Sequence, residues 1–205
     1  MAEARKIVQL KAEDSPRVIE MMGRAFAADP LPRFFVPDDP EQRFTKAFIS
    51  LPLKYCFGYG AVHTTPAIEG AACWLRPGEE LSTVRMLRVG MIPMMIKLGW
   101  SGFQRMNKFI PVTEELHKEI MPKPHWYLWA LGVEPALHRQ GIASALMHPV
   151  LSRADADNVS CYLETMNEQN LPFYERLGFT VGRRIELADG AQKLTIWGMR
   201  RQAHH

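Results

Sequence analysis

Apolar positions early in the chain follow two different spacings. Lys6-Ile7-Val8-Gln9-Leu10-Lys11 alternates and predicts a first strand. Behind Ser15-Pro16, the positions Val18, Ile19, Met22, Ala25 and Phe26 recur at helical spacing. Ser15 reads as the N-cap of that helix and Pro16 as its first residue. Asp29-Pro30 predicts the end, because the residue before a proline disfavours the α region. Leu31-Pro32-Arg33-Phe34-Phe35-Val36-Pro37 is aromatic and broken by prolines, which predicts a loop packed on the core. Asp39-Pro40-Glu41 opens a second helix with Phe44, Ala47, Phe48 and Leu51 on its apolar face. Cys56 to Thr64 and Ala67 to Leu75 read as two strands of a hairpin joined at Thr65-Pro66. Arg76-Pro77-Gly78 stops the second strand.

Residues 80–110 are rich in methionine: Met86, Met91, Met94, Met95 and Met106. Arg85, Arg88 and Lys97 interrupt the apolar run, and a membrane span needs about 20 apolar residues, so the pattern predicts no span. One or two core helices, broken near Gly90 to Pro93, fit it. An adaptable apolar wall over a ligand site is the other reading, since methionine suits such surfaces. Thr113-Glu114-Glu115-Leu116-His117-Lys118 begins a further short helix, closed at Met121-Pro122.

The second half is patterned more sharply. Trp126 to Leu131 is a buried strand ending at Gly132, and Ala145, Leu146, Val150 and Leu151 mark an amphipathic helix after it. Val159 to Glu164 is the next strand. Leu171 to Arg176 is a short helix stopped by Gly178 in a left-handed C′ position. Phe179 to Leu187 and Lys193 to Met199 form an antiparallel pair around Asp189-Gly190. The whole predicts an α/β fold of the α+β kind. A mixed, mostly antiparallel sheet carries helices on both faces. Residues 1–205 form one domain, with a helical insertion at about 80–122.

Composition narrows the function. A hydrophobic fraction of 47% and a charged fraction of 23% belong to a folded chain. The net charge is +3, with no block of lysine or arginine, so no nucleic-acid partner is expected. Cys56, Cys73 and Cys161 are widely spaced, which predicts buried thiols rather than a zinc site or disulfides. Met1 to Lys6 shows no apolar leader, and a reducing cytoplasm fits. His204-His205 carry no argument. Nothing in the pattern fixes the oligomeric state.

The chemistry centres on Val133-Glu134-Pro135-Ala136-Leu137-His138-Arg139-Gln140-Gly141-Ile142-Ala143-Ser144, a short loop between a strand and a helix. A helix N-terminus offers unpaired N–H groups and partial positive charge. Gly141 and Ala143 let a ligand approach the backbone, and His138 and Arg139 add donors. The physical reading is a pyrophosphate cradle.

This loop resembles the acetyl-CoA loop of the GNAT acetyltransferase superfamily, Val-x-Pro-x-x-Gln/Arg-x-x-Gly-x-Gly/Ala. The later run Asn167-Glu168-Gln169-Asn170-Leu171-Pro172-Phe173-Tyr174-Glu175-Arg176-Leu177-Gly178-Phe179 resembles the superfamily's second signature. Together with Leu163-Glu164-Thr165, it is especially similar to the puromycin N-acetyltransferase subgroup. The close resemblance covers residues 124–200. It implies an N-acetyltransferase that moves acetyl from acetyl-CoA to a primary amine of a small molecule, directly within a ternary complex. Leu131, Gly132 and Val133 would meet the pantetheine arm at a splay between the two central parallel strands. His138, Arg139, Gln140, Gly141, Ile142, Ala143 and Ser144 would carry the pyrophosphate. His138 departs from the superfamily's usual Gln or Arg, and its charge would vary near neutral pH. Asn167 and Asn170 match pantetheine contacts, although helix capping explains them equally. Tyr174 would be the general acid and Glu164 the general base, against the alternatives of a packed tyrosine and a paired strand-end carboxylate. Asp29, Phe34 and Phe35 match the border of the acceptor pocket. A non-catalytic acyl-CoA sensor and a protein acetyltransferase are the alternative functions.

Overall fold

The computed structural model describes residues 5–203. Most of the stretch read for a leader, residues 1–4, and the terminal His204-His205 lie outside them. Seven strands form one sheet: β1 (Val8–Gln9), β2 (Gly60–Thr64), β3 (Gly70–Leu75), β4 (Trp126–Val133), β5 (Cys161–Thr165), β6 (Thr180–Asp189) and β7 (Gln192–Arg201). Their spatial order is β1-β2-β3-β4-β5-β7-β6. Only the central neighbours β4 and β5 run parallel; the other pairs are antiparallel. The fold is the mixed, mostly antiparallel one that the pattern predicts.

The helices are α1 (Ser15–Phe26), α2 (Pro30–Phe35), α3 (Arg43–Tyr59), α4 (Thr83–Val89), α5 (Met91–Ile120), α6 (Ile142–Ala156) and α7 (Leu171–Arg176). They divide between the two faces of the sheet. On one face α6 and α7 bury Ile142, Leu146, Val150 and Tyr174 against Leu128, Leu163 and Met199. On the other, α1 and α3 bury Val18, Met22, Leu53 and Cys56 against Ala71, Cys73 and Ala130. Beside them, α2, α3 and α5 enclose Phe34, Phe35, Phe44, Leu98 and Leu116 over Tyr162 and Ile196.

Several local expectations change. The strand at Lys6–Lys11 shortens to Val8–Gln9, and Ser15 lies inside α1 with Pro16 in its first turn. The region 30–35 is a helix, not a loop. Its two prolines fall in the first turn, where a missing N–H is not needed, and the Asp29 carboxylate accepts from Leu31 N at 2.9 Å. Cys56 to Tyr59 continue α3 instead of starting β2, because Ile49, Leu53 and Cys56 keep one stripe facing the core. The break at Gly90 is present, with φ 112°. A second break falls at Gly99, and residues 113–120 belong to α5 rather than to a separate helix. The long helix keeps Met94, Leu98, Met106, Leu116 and Ile120 inward while Ile96 and Trp100 are 76% and 73% exposed. Among the described residues, no helix is long and apolar enough to cross a membrane.

Candidate active site

The site begins where β4 and β5 part. They pair from Trp126↔Cys161 to Leu128↔Leu163 and no further. At that point the register of β4 against β3 shifts: Trp74 faces Leu128 and Cys73 faces Ala130, so Trp129 is an extra residue. An extra residue bends a strand and increases its twist, which turns β4 away from β5. From Ala130 to Val133 one edge of β4 stays paired with β3 while the other faces the opening. Among the described residues that edge pairs with no strand, so backbone groups along it can meet a ligand.

Leu131, Gly132 and Val133 lie on this open stretch. Gly132 is required by α1: a Cβ there would stand 2.5 Å from Met22 Sδ and 3.1 Å from Phe26 Cε2. The chain then turns through residues 135–137 into the loop. His138 holds the turn, its Nε2 lying 3.2 Å from the Val133 carbonyl oxygen. Arg139 and Gly141 have φ of 63° and 76°. Such left-handed positions concentrate backbone N–H groups into anion-binding concavities. Gly141 caps α6 with no side-chain cap, and nothing lies within 4 Å of its Cβ direction. No side chain caps the first N–H groups of this 15-residue helix. Arg139, Gln140, Gly141 and Ser144 are exposed, Ala143 is partly buried, and the Ile142 side chain anchors the turn in the core. These features fit a pyrophosphate, which needs N–H donors, positive potential and room.

Tyr174 lies on α7. The helix ends in a Schellman pattern: Phe179 N donates to the Tyr174 carbonyl at 3.1 Å and Gly178 N to the Glu175 carbonyl at 2.9 Å. Gly178, with φ 86°, supplies the left-handed residue. Tyr174 is 7% exposed, with Phe173 and Phe179 packed edge-on to its ring. Burial first, and then the nearby Asp29 charge, push its phenol above the ordinary range. The Asp29 carboxyl is itself pushed up by burial, against the Leu31 N–H bond. Asp29, the N-cap of α2, is thus near enough to Tyr174 on α7 for its charge to act on the phenol. Asn167 is used as a cap, its Oδ1 accepting from Gln169 N at 3.1 Å. Asn170 caps α7 without a side-chain bond to the helix.

Glu164 is the first residue of β5 beyond its pairing with β4. Its side chain is 7% exposed. Burial raises its pKa to about 7, opposed by the Tyr127 and Tyr162 phenols and by its own backbone N–H. A carboxyl poised there can take a proton at neutral pH. The Tyr162 hydroxyl is buried and lies toward Glu164, outside ordinary hydrogen-bond geometry with any described residue.

Phe34 and Phe35 are 2% and 1% exposed, and Phe35 packs against Phe44, Phe48 and Phe109. The contacts they make in the structure are those of core rings. Of the three residues read as the acceptor border, Asp29 alone stands beside a site residue. The residues the pattern missed are His117 on α5 and His125 before β4. His117 Nε2 lies 2.6 Å from His125 Nε2, and His117 Nδ1 lies 4.0 Å from a Glu164 oxygen. The three cysteines are buried and free, and burial raises Cys73 and Cys161 to about 12. Among the described residues, no cluster of His, Cys, Asp or Glu is arranged to hold a metal ion.

The model of the acetyltransferase (GNAT) family matches residues 98–179, which hold the parted strands, the loop and α7. A Corynebacterium glutamicum structure described as histone acetyltransferase HPA2 and related acetyltransferase superposes with a TM-score of 0.67. It is 19% identical and covers 99% of this chain and 98% of its own. The fold is that of the GNAT acetyltransferases. Arylalkylamine N-acetyltransferase 2 of Aedes aegypti has a TM-score of 0.63 at 13% identity, covering 97% of this chain and 99% of its own. A Drosophila melanogaster polyamine N-acetyltransferase has a TM-score of 0.65 at 12% identity, covering 96% and 99%. A curated relative, a probable serine/threonine-protein kinase of Dictyostelium discoideum, is 22% identical over 200 residues. The match covers 88% of this chain but spans only 21% of that protein. The likeness to the GNAT family rests on the match over residues 98–179 and on the fold; the puromycin-type subgroup does not follow from either.

Proposed function

We propose that this chain is a single acetyltransferase domain, with a helical insertion at about 80–122, that transfers acetyl from acetyl-CoA to a primary amine of a small molecule. The observation that carries the proposal is Glu164, a buried carboxyl with a pKa of about 7 at the point where the parallel strands part. It stands beside a free strand edge and on the same sheet as an uncapped helix N-terminus. When bound, acetyl-CoA supplies an acetyl thioester. The open edge at Leu131 to Val133 offers N–H groups to the pantetheine arm and to the oxygen where negative charge grows. The 138–144 loop holds the pyrophosphate. Glu164 takes a proton from the acceptor amine. Tyr174, whose phenol stays protonated throughout the working range, gives one to the departing thiolate. Buried Cys161, with its raised pKa, favours direct transfer over an acyl-cysteine route.

Asp29 next to Tyr174 puts an acidic group at the acceptor side, which suits an ammonium. The aromatic and methionine-rich first half favours a flat or apolar amine over a polyamine. The test is a panel of 2-phenylethylamine, tryptamine, spermidine and an aminoglycoside with acetyl-CoA, read as coenzyme A release. Aromatic amines are expected to turn over fastest. Fastest turnover of the aminoglycoside would overturn the acceptor reading. Acetyl-CoA binding with no turnover of any amine would indicate a sensor.

A further inference from the structure

The base at Glu164 raises a question of disposal. A carboxyl that is 7% exposed cannot hand its proton straight to bulk water in every cycle. The structure supplies a route that lies outside the two signature motifs at 133–144 and 167–179. It runs through His117, on the inserted helix α5, and His125, in the segment before β4. His117 lies flat against Tyr162, with centroids 4.2 Å apart and an interplanar angle of 21°. It presents Nδ1 to Glu164 at 4.0 Å and Nε2 to His125 Nε2 at 2.6 Å. His125 Nδ1 lies 2.7 Å from the Lys123 carbonyl oxygen.

These contacts fix the tautomers. A carbonyl oxygen only accepts, so His125 Nδ1 must carry a hydrogen. In neutral His125 its Nε2 is then bare and accepts, so His117 Nε2 must carry the hydrogen between them. In neutral His117 that leaves Nδ1 bare, and Nδ1 is the atom turned toward Glu164. The pair is set to receive a proton from the carboxyl and to pass one outward.

From this geometry we propose that His117 and His125 form a proton relay that returns Glu164 to its anion after each turnover. The proposal rests on Glu164 being the base. Proton by proton, the acceptor R–NH3⁺ and Glu164–COO⁻ become R–NH2 and Glu164–COOH. The carboxyl O–H then breaks as an N–H forms at His117 Nδ1, with one water bridging the 4.0 Å gap. The Nε2–H of His117 moves to His125 Nε2. His125, partly exposed, releases a proton to solvent. Loss of the His125 Nδ1–H leaves the hydrogens on His117 Nδ1 and His125 Nε2; before the next turnover His117 gives its Nδ1–H to water, His125 takes a proton from water at Nδ1, and the His125 Nε2–H returns to His117 Nε2.

The surroundings keep the relay empty at rest. Burial, then the neighbouring His125 and Lys118 charges, hold His117 down at about 3. Burial also lowers His125, opposed by the Lys123 carbonyl. Tyr127 from β4 and Tyr162 from β5 face Glu164, and Cys56 from α3 faces Tyr127. Burial raises the pKa of each of these phenols and of the thiol, so all remain neutral. Among the described groups around Glu164, the imidazoles are the ones that offer a bare ring nitrogen, so the proton crosses His117 on its way out and does not rest there.

Two measurements on the full chain test this. The first needs no acceptor: ¹⁵N NMR of the histidine rings should show His117 protonated at Nε2 and His125 at Nδ1. A hydrogen on His117 Nδ1 overturns the relay, because that atom could not then receive a proton. The second uses acetyl-CoA with 2-phenylethylamine. His117→Phe keeps the stack on Tyr162 and removes the relay. Its kcat should fall about tenfold or more at pH 7, with acetyl-CoA binding unchanged. The deficit should shrink as pH approaches the amine's own pKa, and added imidazole should restore turnover in His125→Ala. A uniform loss at every pH, without rescue, marks a merely structural role and overturns the proposal. Should Glu164→Gln lose activity while His117→Phe matches the parent at every pH, the base stands and the relay falls. Should Glu164→Gln keep full activity, the base reading fails first.

Discussion

Glu164→Gln should make the protein more stable above neutral pH while disabling it. Burial raises the carboxyl from an ordinary 4.5 to about 7. The folded chain therefore holds this proton more tightly than the unfolded chain. The group's favourable contribution is intact below pH 4.5 and is lost as pH rises to about 7. Each factor of ten in proton affinity corresponds to about 1.4 kcal/mol. Keeping the carboxylate buried at pH 8.5 thus costs the folded state roughly 3 kcal/mol relative to acid. Glutamine is the neutral isostere and carries no such cost. Lowered His117 and His125 act in the opposite sense, gaining stability as pH rises, but parent and variant share them. Urea unfolding of both proteins at pH 5 and 8.5 isolates the carboxyl. The stability of the variant relative to the parent should rise by about 2–3 kcal/mol between those pH values. A difference independent of pH would show that Glu164 ionises freely in the folded state, and the argument for it as a base near neutrality would fail.

Other outcomes follow from the same geometry. Tyr174→Phe keeps the ring contacts with Phe173 and Phe179 and should lower kcat and kcat/KM together, with acetyl-CoA affinity unchanged by calorimetry. Ser144→Trp, on the exposed first turn of α6, should weaken acetyl-CoA binding by about tenfold or more without the backbone strain that any side chain at Gly141 would add. Gly132→Ala should cost about 1–3 kcal/mol in urea unfolding, because its Cβ meets Met22 Sδ at 2.5 Å. Cys161→Ala should retain turnover, since a buried thiol raised to about 12 is no nucleophile.

The parts of the fold legible in the sequence are those set by local chemistry. Gly178 stops α7 because the Schellman end needs a left-handed residue, and Gly190 turns β6 into β7 for a similar reason. The loop at 138–144 could be read because glycine and small residues at a helix start carry their meaning locally. Where tertiary packing decides, the reading failed. Cys56 to Tyr59 have the composition of a strand, yet α3 continues through them because its stripe is already seated on β3. Phe34 and Phe35 look like pocket rings until α2 forms and α5 closes over them, with Arg105 Nη1 donating to both their carbonyls at 3.3 and 3.0 Å. Asn167 offered two roles, and its hydrogen bond to Gln169 shows the capping one. His117 and Glu164 are 47 positions apart in the chain and on different elements. No spacing rule joins them. The one available signal was a second histidine eight residues on, beside a strand start.

The central claim is that this chain transfers acetyl from acetyl-CoA to a small amine with Glu164 as the base. The most direct measurement is mass spectrometry of the protein mixed with acetyl-CoA and the amine panel across pH 6 to 9. The account predicts one N-acetylated amine formed per coenzyme A released, with a rate that rises through about pH 7 in the parent and loses that rise in Glu164→Gln. Coenzyme A release without any acetylated amine, or an unchanged rise in the variant, would contradict it.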